Sequence, residues 1–231
     1  SVTGVQTCAL PICMFDFQQI VPYIPFILNG VKVTLQVTLL AVVLGFIWGS
    51  ILALIKISNV RILKWLAVAY TSVFRGTPLI LQLTFVYFAT PQIFGYNISK
   101  FEAAVLTFTL NSGAYISETI RAGIMAVDKG QWEAAKALGV PYRQMMIDII
   151  LPQALKNILP ALVNETIALL KESALVSTIG LADIMQNANI VKGTIFRYFE
   201  PYLIAGALYY VMVMLLTWLA HGLERRLRRS D

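Results

Sequence analysis

Charge is scarce in this sequence. Only 13% of its 231 residues are Asp, Glu, Lys or Arg and 58% are hydrophobic, whereas an ordinary soluble domain is about a quarter charged. Histidine and cysteine are nearly absent: one His, and two Cys that both fall in the first 13 residues. That scarcity excludes a His/Cys metal site and a disulfide framework. No G-x-x-x-x-G-K-[ST] phosphate loop occurs anywhere, so any ATP that drives this chain has to be bound by another polypeptide. No Ser/His/Asp or Cys/His set occurs either, because His221 closes an apolar segment beside terminal arginines, an ordinary setting for an interfacial ring. The chain is therefore not read as an enzyme. The net charge of +6 is not a nucleic-acid signal, since most of the basic residues lie between apolar runs, where they orient a protein in a bilayer.

What is present is length without charge. With a mean hydropathy of +0.73, the chain reads as an all-α integral membrane protein with five transmembrane helices. The first span, about 33–55, is uncharged for about 23 residues, enough for about 30 Å of hydrocarbon. A basic connection with Lys56, Arg61 and Lys64 comes next. The second span, about 65–94, is interrupted by Arg75-Gly76-Thr77-Pro78, where Thr77 is predicted to cap a helix and Pro78 to occupy its first turn. Two arrangements fit Ile62–Phe74: crossing the membrane or lying along its interface. The third span is about 101–125 and the fourth about 153–170. A polar stretch from Ser173 to Glu200 holds one short helix near Leu181–Asn189, and the fifth span is about 201–223. Residues 1–13 match neither a secretory signal nor the character of the chain beyond Met14. They are set aside as a non-native extension before Met14, leaving 14–231 as a single membrane domain.

Five spans put the chain ends on opposite sides. One face then collects Lys56, Arg61, Lys64, Arg121, Lys129, Lys136, Arg143 and the terminal Arg225, Arg226, Arg228 and Arg229, eleven positive charges. The other collects Lys32, Lys100, Lys171, Lys192 and Arg197, five charges. The positive-inside rule makes the richer face cytosolic, with the N-terminus outside and the C-terminus inside.

On that cytosolic face lies Gln131–Pro152, QWEAAKALGVPYRQMMIDIILP. Good helix formers fill Gln131–Leu138, and Gly139 just beyond them is predicted to stop the helix in the left-handed conformation. Pro141 is read as the first turn of a second helix, with Pro152 as its limit. A short helix–Gly–helix elbow suits a docking knob; it is also the form of a plain hairpin between spans.

Three polar residues inside the spans are candidates for a ligand. Glu165 and Glu172 are seven residues apart and share one helical face, about 10 Å apart along the axis. Carboxylates in spans usually line a pathway, and two of them favour a cationic group; the alternative pairs Glu165 with a neighbouring base and leaves Glu172 at the water interface. Asn111 can hydrogen-bond a ligand or join helices. Glu118 and Arg121 are spaced to pair on one helical face, and Gly30, Gly45, Gly49 and Ser50 read as close-packing positions.

The elbow's pattern resembles the signature of the permease subunits of bacterial ABC importers: Glu133-Ala134-Ala135, then Gly139, then Ile149-x-Leu151-Pro152. The segments Phe74–Leu79, Asn111–Tyr115 with Glu118 and Arg121, and Lys171–Val176 look like the polar amino acid uptake branch of that family. The likeness runs from about Asn29 to Arg226. It implies a type I ABC importer permease fold in which the elbow carries a coupling helix. It also implies a partnership with two ATP-binding subunits, an extracytoplasmic substrate-binding protein and a second permease subunit, in a homodimer or a heterodimer. ATP and Mg would sit on the partner ATPase, with no cofactor on this chain. Glu133, Ala134, Ala135, Gly139, Ile149, Leu151 and Pro152 would serve ATPase coupling, and Glu165, Glu172 and Asn111 substrate binding. The cargo implied is a polar amino acid, basic such as arginine, or glutamine. The rival reading is an ion-gradient-driven secondary transporter, which the intramembrane Glu165 permits, although no inverted repeat is evident.

Overall fold

In the computed structural model residues 17–58 and 60–228 are described, and every regular element among them is helical. The proposed extension 1–13 lies outside the described residues. Two short 3₁₀ turns, Phe17–Gln19 and Val21–Tyr23, lead into α1 (Ile24–Ile57). The next helices are α2 (Arg61–Gly76), α3 (Leu79–Phe94) and α4 (Lys100–Met125). The elbow supplies α5 (Lys129–Ala137), α6 (Tyr142–Gln144) and a π-helical turn, Met145–Ile150, that runs into α7 (Leu151–Glu172). A 3₁₀ segment, Ser173–Ile179, α8 (Ile184–Ile195) and α9 (Phe199–Arg228) complete the chain.

α1 and α4 are the central pair and pack along most of their lengths. Their closeness comes from small residues. A Cβ at Gly49 would stand 2.9 Å from the Gly113 carbonyl oxygen, one at Gly45 would collide with the Ser112 hydroxyl, and one at Gly113 would stand 2.6 Å from the Trp48 ring. Gly30 does the same service at the other end of α1, where an added Cβ would lie 2.5 Å from the Asp183 backbone at the start of α8. In a bilayer, where lipid is as apolar as leucine, such backbone approach is what drives helix association. The close-packing reading of Gly30, Gly45 and Gly49 is borne out; Ser50, read the same way, instead donates its hydroxyl back to the Phe46 carbonyl at 2.7 Å and lines an open groove.

Three apolar clusters lie along the molecule. The middle one joins α1, α3, α4 and α7 around Val37, Leu83, Phe108 and Leu169. The second ties the elbow to α4 and α7 through Ala135, Met145, Ile150 and Ile158, and the third joins α1, α8 and α9 through Ile27, Ile184 and Ala205. Outside these clusters large apolar side chains face outward, among them Leu39, Leu54, Trp65, Tyr210 and Trp218. On a protein in water such continuous apolar exposure is unsustainable; toward lipid it is the expected surface.

Among the described residues, three runs are long and apolar enough to cross a membrane: Phe17–Ile57, Tyr142–Ile179 and Phe199–Gly222. α4 has 26 residues, about 39 Å at 1.5 Å per residue, but carries polar and charged groups along its second half. α3, at 16 residues or about 24 Å, is short for a crossing by itself. The expected five-span count thus rests on α4 and on the α2–α3 pair as well as on these three runs.

Several boundaries differ from the sequence reading. The first span is longer than 33–55, because nothing in Ile24–Lys32 breaks the helix and Pro25 sits harmlessly in its first turn. The second span is two helices rather than one. Thr77 does not cap α3: it ends α2 in extended conformation with its hydroxyl donating back to the Val73 carbonyl at 2.9 Å, and Pro78 takes the cap position. Pro152 does not end the second elbow helix, nor Pro141 begin it; Pro141 is its cap, and helix continues unbroken from Tyr142 to Ile179. Proline normally breaks a helix by clashing with the carbonyl four residues back and by lacking the N–H that would bond it. Here the preceding turn is π-helical, with the Leu151 N–H reaching Met146, five residues back. The wider turn accommodates the ring, so Pro152 sits in the first turn of α7.

Candidate functional site

The elbow begins with Asp128, whose carboxylate accepts from the Gly130 N–H at 2.6 Å and caps α5. α5 ends as expected at Gly139. Its φ of +67° is the left-handed value, the Gly139 N–H bonds the Lys136 carbonyl, and the Val140 N–H bonds that of Ala135, both at 3.0 Å. This pair of bonds is a Schellman stop, which favours a residue without Cβ at the turn. The two helices therefore meet at a defined corner. Ala135 is buried against Met145, Ile150 and Ile158, while Glu133, Ala134 and Gly139 are exposed and Leu138 is 82% exposed at the tip. Ile149 packs at the edge of the same cluster; Leu151 and Pro152 lie on the outer side of the α7 start. Of the seven elbow positions named from sequence, Ala135 and Ile149 anchor the knob and the rest lie on its surface.

Directly behind the elbow, Lys56 at the end of α1 reaches across to α4. Its Nζ lies 2.6 Å from Glu118 Oε1 and donates to Ser117 Oγ at 3.0 Å, and Arg121 holds Glu118 Oε2 at 2.8 Å. The lysine side chain is 2% exposed and the glutamate 21%. Glu118 and Arg121 pair as their spacing predicts, and Lys56 is the member that local sequence does not reveal, because it lies 62 positions away. Its signal was a lysine directly ending an apolar run.

Farther along the molecule, α7 carries the two acids. Glu165 is half-buried and lines a cavity of about 250 Å³ between α1, α4 and α7, walled by Val42, Phe46, Ile116 and Leu169. Its charged neighbours are Glu172, two turns on, and Arg75 at the end of α2. Arg75 in turn stands 5.3 Å over the Tyr115 ring, a cation–π distance. Glu172 is exposed. Asn111, one helical turn before Tyr115 on α4, is buried, and its amide donates to the Phe74 carbonyl at 3.2 Å and to Gln82 Oε1 at 3.0 Å. Gln82 donates to the Phe74 and Thr77 carbonyls, so these groups knot the α2–α3 break onto α4. The structure brings Glu165, Glu172, Arg75 and Tyr115 into one neighbourhood and places Asn111 in the framework beside it. Gln82 was not singled out from sequence, and Arg75 was named there only as part of the Arg75-Gly76-Thr77-Pro78 interruption and the Phe74–Leu79 segment, without a ligand role.

A cluster of the buried Lys56 with Glu118 and Arg121, an exposed knob with a fixed corner and one acid, Glu165, lining a small cavity are the features of this site. They can dock a protein and hold a polar solute. Comparison with known proteins agrees in kind. The profile of the family described as binding-protein-dependent transport system inner membrane component matches residues 15–229. The chain belongs to that family. Among relatives, it is 54% identical over 216 residues to the arginine transport system permease protein of Bacillus subtilis (strain 168), covering 94% of this chain and 99% of that one. A permease protein of Rickettsia felis named for glutamine transport is 49% identical over 215 residues, 93% and 99% of the respective chains. Among solved structures, the crystal structure of an amino acid ABC transporter with histidines superposes with a TM-score of 0.89 at 47% identity, covering 93% of this chain and all of that one.

Proposed function

We propose that this chain is the transmembrane subunit of an ATP-driven importer that carries a polar amino acid across the cytoplasmic membrane. It pairs with a second permease subunit, receives its cargo from an extracytoplasmic binding protein and docks two ATP-hydrolysing subunits at the elbow. The observation that carries the reading is the elbow itself: an exposed helix of fixed length, stopped at Gly139 and rooted through Ala135, Met145 and Ile150 in the helix that bears Glu165. Movement imposed on the knob by a partner is thereby delivered to the spans, as alternating access requires. The charge asymmetry supports a cytosolic elbow and C-terminus and an external N-terminus, with α1, the α2–α3 pair, α4, α7 and α9 as the five crossings.

Glu165 and Glu172 would receive the cationic part of the cargo, with Arg75 opposite for its carboxylate and Asn111 holding the framework. The names of the arginine and glutamine relatives support a cargo with an α-amino acid head and a polar or basic side chain.

The decisive assay is uptake of labelled arginine and glutamine into vesicles containing the permease, its ATP-hydrolysing partner and the binding protein. ATP-dependent accumulation is expected. Gly139→Val is expected to leave basal ATP hydrolysis intact and to abolish both its stimulation and uptake. Uptake driven by an ion gradient with no ATP-hydrolysing subunit, or a Gly139→Val transporter that remains fully coupled, would overturn the proposal.

A further inference from the structure

Two open spaces meet at the elbow end of the molecule, and together they have the shape of one amphipathic ligand. The first is a cavity of about 720 Å³ bounded by α1, α2, α4 and the elbow. Lys56, Lys64, Arg121 and Lys129 line it against a single carboxylate, Glu118. That carboxylate is already held by Lys56 and Arg121. Lys64 and Lys129 are exposed, and among the described residues neither has an acidic side chain within ion-pair distance. The residues lining the space therefore bring four positive charges against one negative.

The second is a groove of about 860 Å³ that runs from the elbow up α1, α4 and α7, walled by Phe46, Leu54, Ile120, Ile147 and Leu155. The two spaces share four residues, Ile57, Ile124, Tyr142 and Met146. A basic chamber at the membrane surface thus opens into an apolar trough directed into the bilayer. A free phosphate compound would satisfy the chamber alone and leave the trough unexplained.

We infer that this paired site binds an anionic phospholipid of the adjacent leaflet. Its phosphate is held by Lys64 and Lys129 with the outer edge of Arg121, and one acyl chain lies in the groove along Leu54 and Ile147. The proposed function makes that leaflet the cytosolic one, where anionic headgroups and basic side chains attract one another. The lipid would wedge between the α1–α2 corner and the elbow, touching both the docking knob and the helices it drives.

The test uses the full chain purified in neutral detergent and titrated with dioleoyl-phosphatidylglycerol or dioleoyl-phosphatidylcholine, with bound lipid counted by native mass spectrometry. Selective retention of the anionic lipid is expected. Lys64→Ala/Lys129→Ala should weaken it roughly 30-fold, since each basic residue near an anionic surface contributes about a fivefold factor. Lys64→Arg/Lys129→Arg should restore it, and Ile147→Asp should remove it by charging the trough. Both lysines are exposed, so the alanine pair should melt like the parent in phosphatidylcholine; the single Lys64→Ala chain, expected to lose about fivefold, serves if it does not. Equal retention of both lipids, or unaltered binding in the alanine variants, would overturn the inference. Glycerol 3-phosphate binding as tightly as the lipid would assign the chamber to a soluble phosphate instead, and retention unaffected by Ile147→Asp would refute the acyl placement. Lipid retention is read without transport, so its failure is separate from any failure of the importer reading.

Discussion

Lys56 shows how far a single residue can act in this protein. It ends an apolar helix with its ammonium out of water and survives there because Glu118 and Ser117 meet it. Removing one partner of such a pair strands the other charge, at a cost of roughly 3–5 kcal/mol, whereas replacing both partners with uncharged groups often costs little. In a Lys56→Met chain Glu118 would keep Arg121, whereas Glu118→Gln strands Lys56, whose side chain is 2% exposed. Glu118→Gln should therefore lower the melting temperature of the detergent-solubilised protein sharply, and adding Lys56→Met should recover most of the loss. Additive losses in that double-mutant cycle would show that the contact is unimportant. Gly30 makes a different demand. With the Asp183 backbone 2.5 Å from where a Cβ would stand, Gly30→Val forces α1 and α8 apart and should cost about 1–3 kcal/mol in the same melting assay. Glu165 carries the sharper functional expectation: Glu165→Gln should reduce arginine uptake at least tenfold and glutamine uptake much less, as judged from initial rates. An equal loss for both cargoes would remove Glu165 from charge recognition.

At the scale of elements, the elbow's corner depends on one backbone conformation. A β-branched residue at Gly139 has to adopt a positive φ, at a cost of about 1–2 kcal/mol, while asparagine tolerates it. Gly139→Asn is therefore expected to keep most uptake where Gly139→Val does not, and identical behaviour of the two would show that side-chain contact rather than geometry matters there. This corner was legible in the sequence because its determinants are local: good helix formers, a glycine, then a proline. The Thr77-Pro78 break was half legible for the same reason. The proline announced it, but the Gln82–Asn111 knot that holds it comes from residues 29 positions apart. Pro152 was misread because the rule that proline ends a helix assumes an α-helical turn before it, and no side chain in Met145–Ile150 announces the wider π turn. Lys56, likewise, could be seen as a charge at a helix end but not as the partner of Glu118. Local chemistry sets the helices and their corners; the pairings among helices depend on approach distances that only the folded chain supplies.

For the whole molecule, the asymmetric distribution of basic residues makes a topological statement that can be checked directly. Lys136→Cys on the elbow and Thr194→Cys near the end of α8 are both exposed and should label from opposite sides of a sealed membrane. The elbow position should react with a membrane-impermeant maleimide only after the vesicles are opened to expose their cytosolic face, and the Thr194→Cys position without opening. Same-side labelling would break the five-crossing topology.

The unbroken helix from Tyr142 to Ile179 gives that topology a mechanical character. Its 38 residues extend about 57 Å, with no loop between the docking corner and the acid pair. A loop would absorb displacement as a slack cable does; this run behaves as a connecting rod, passing on tilt and torque as well as push. It has two compliant places, the π turn and Pro160, and Glu165 lies beyond both. Rotation arriving at the acid is therefore whatever those two joints let through. Stiffening either one would alter the gearing between partner and cargo without touching a residue that contacts either.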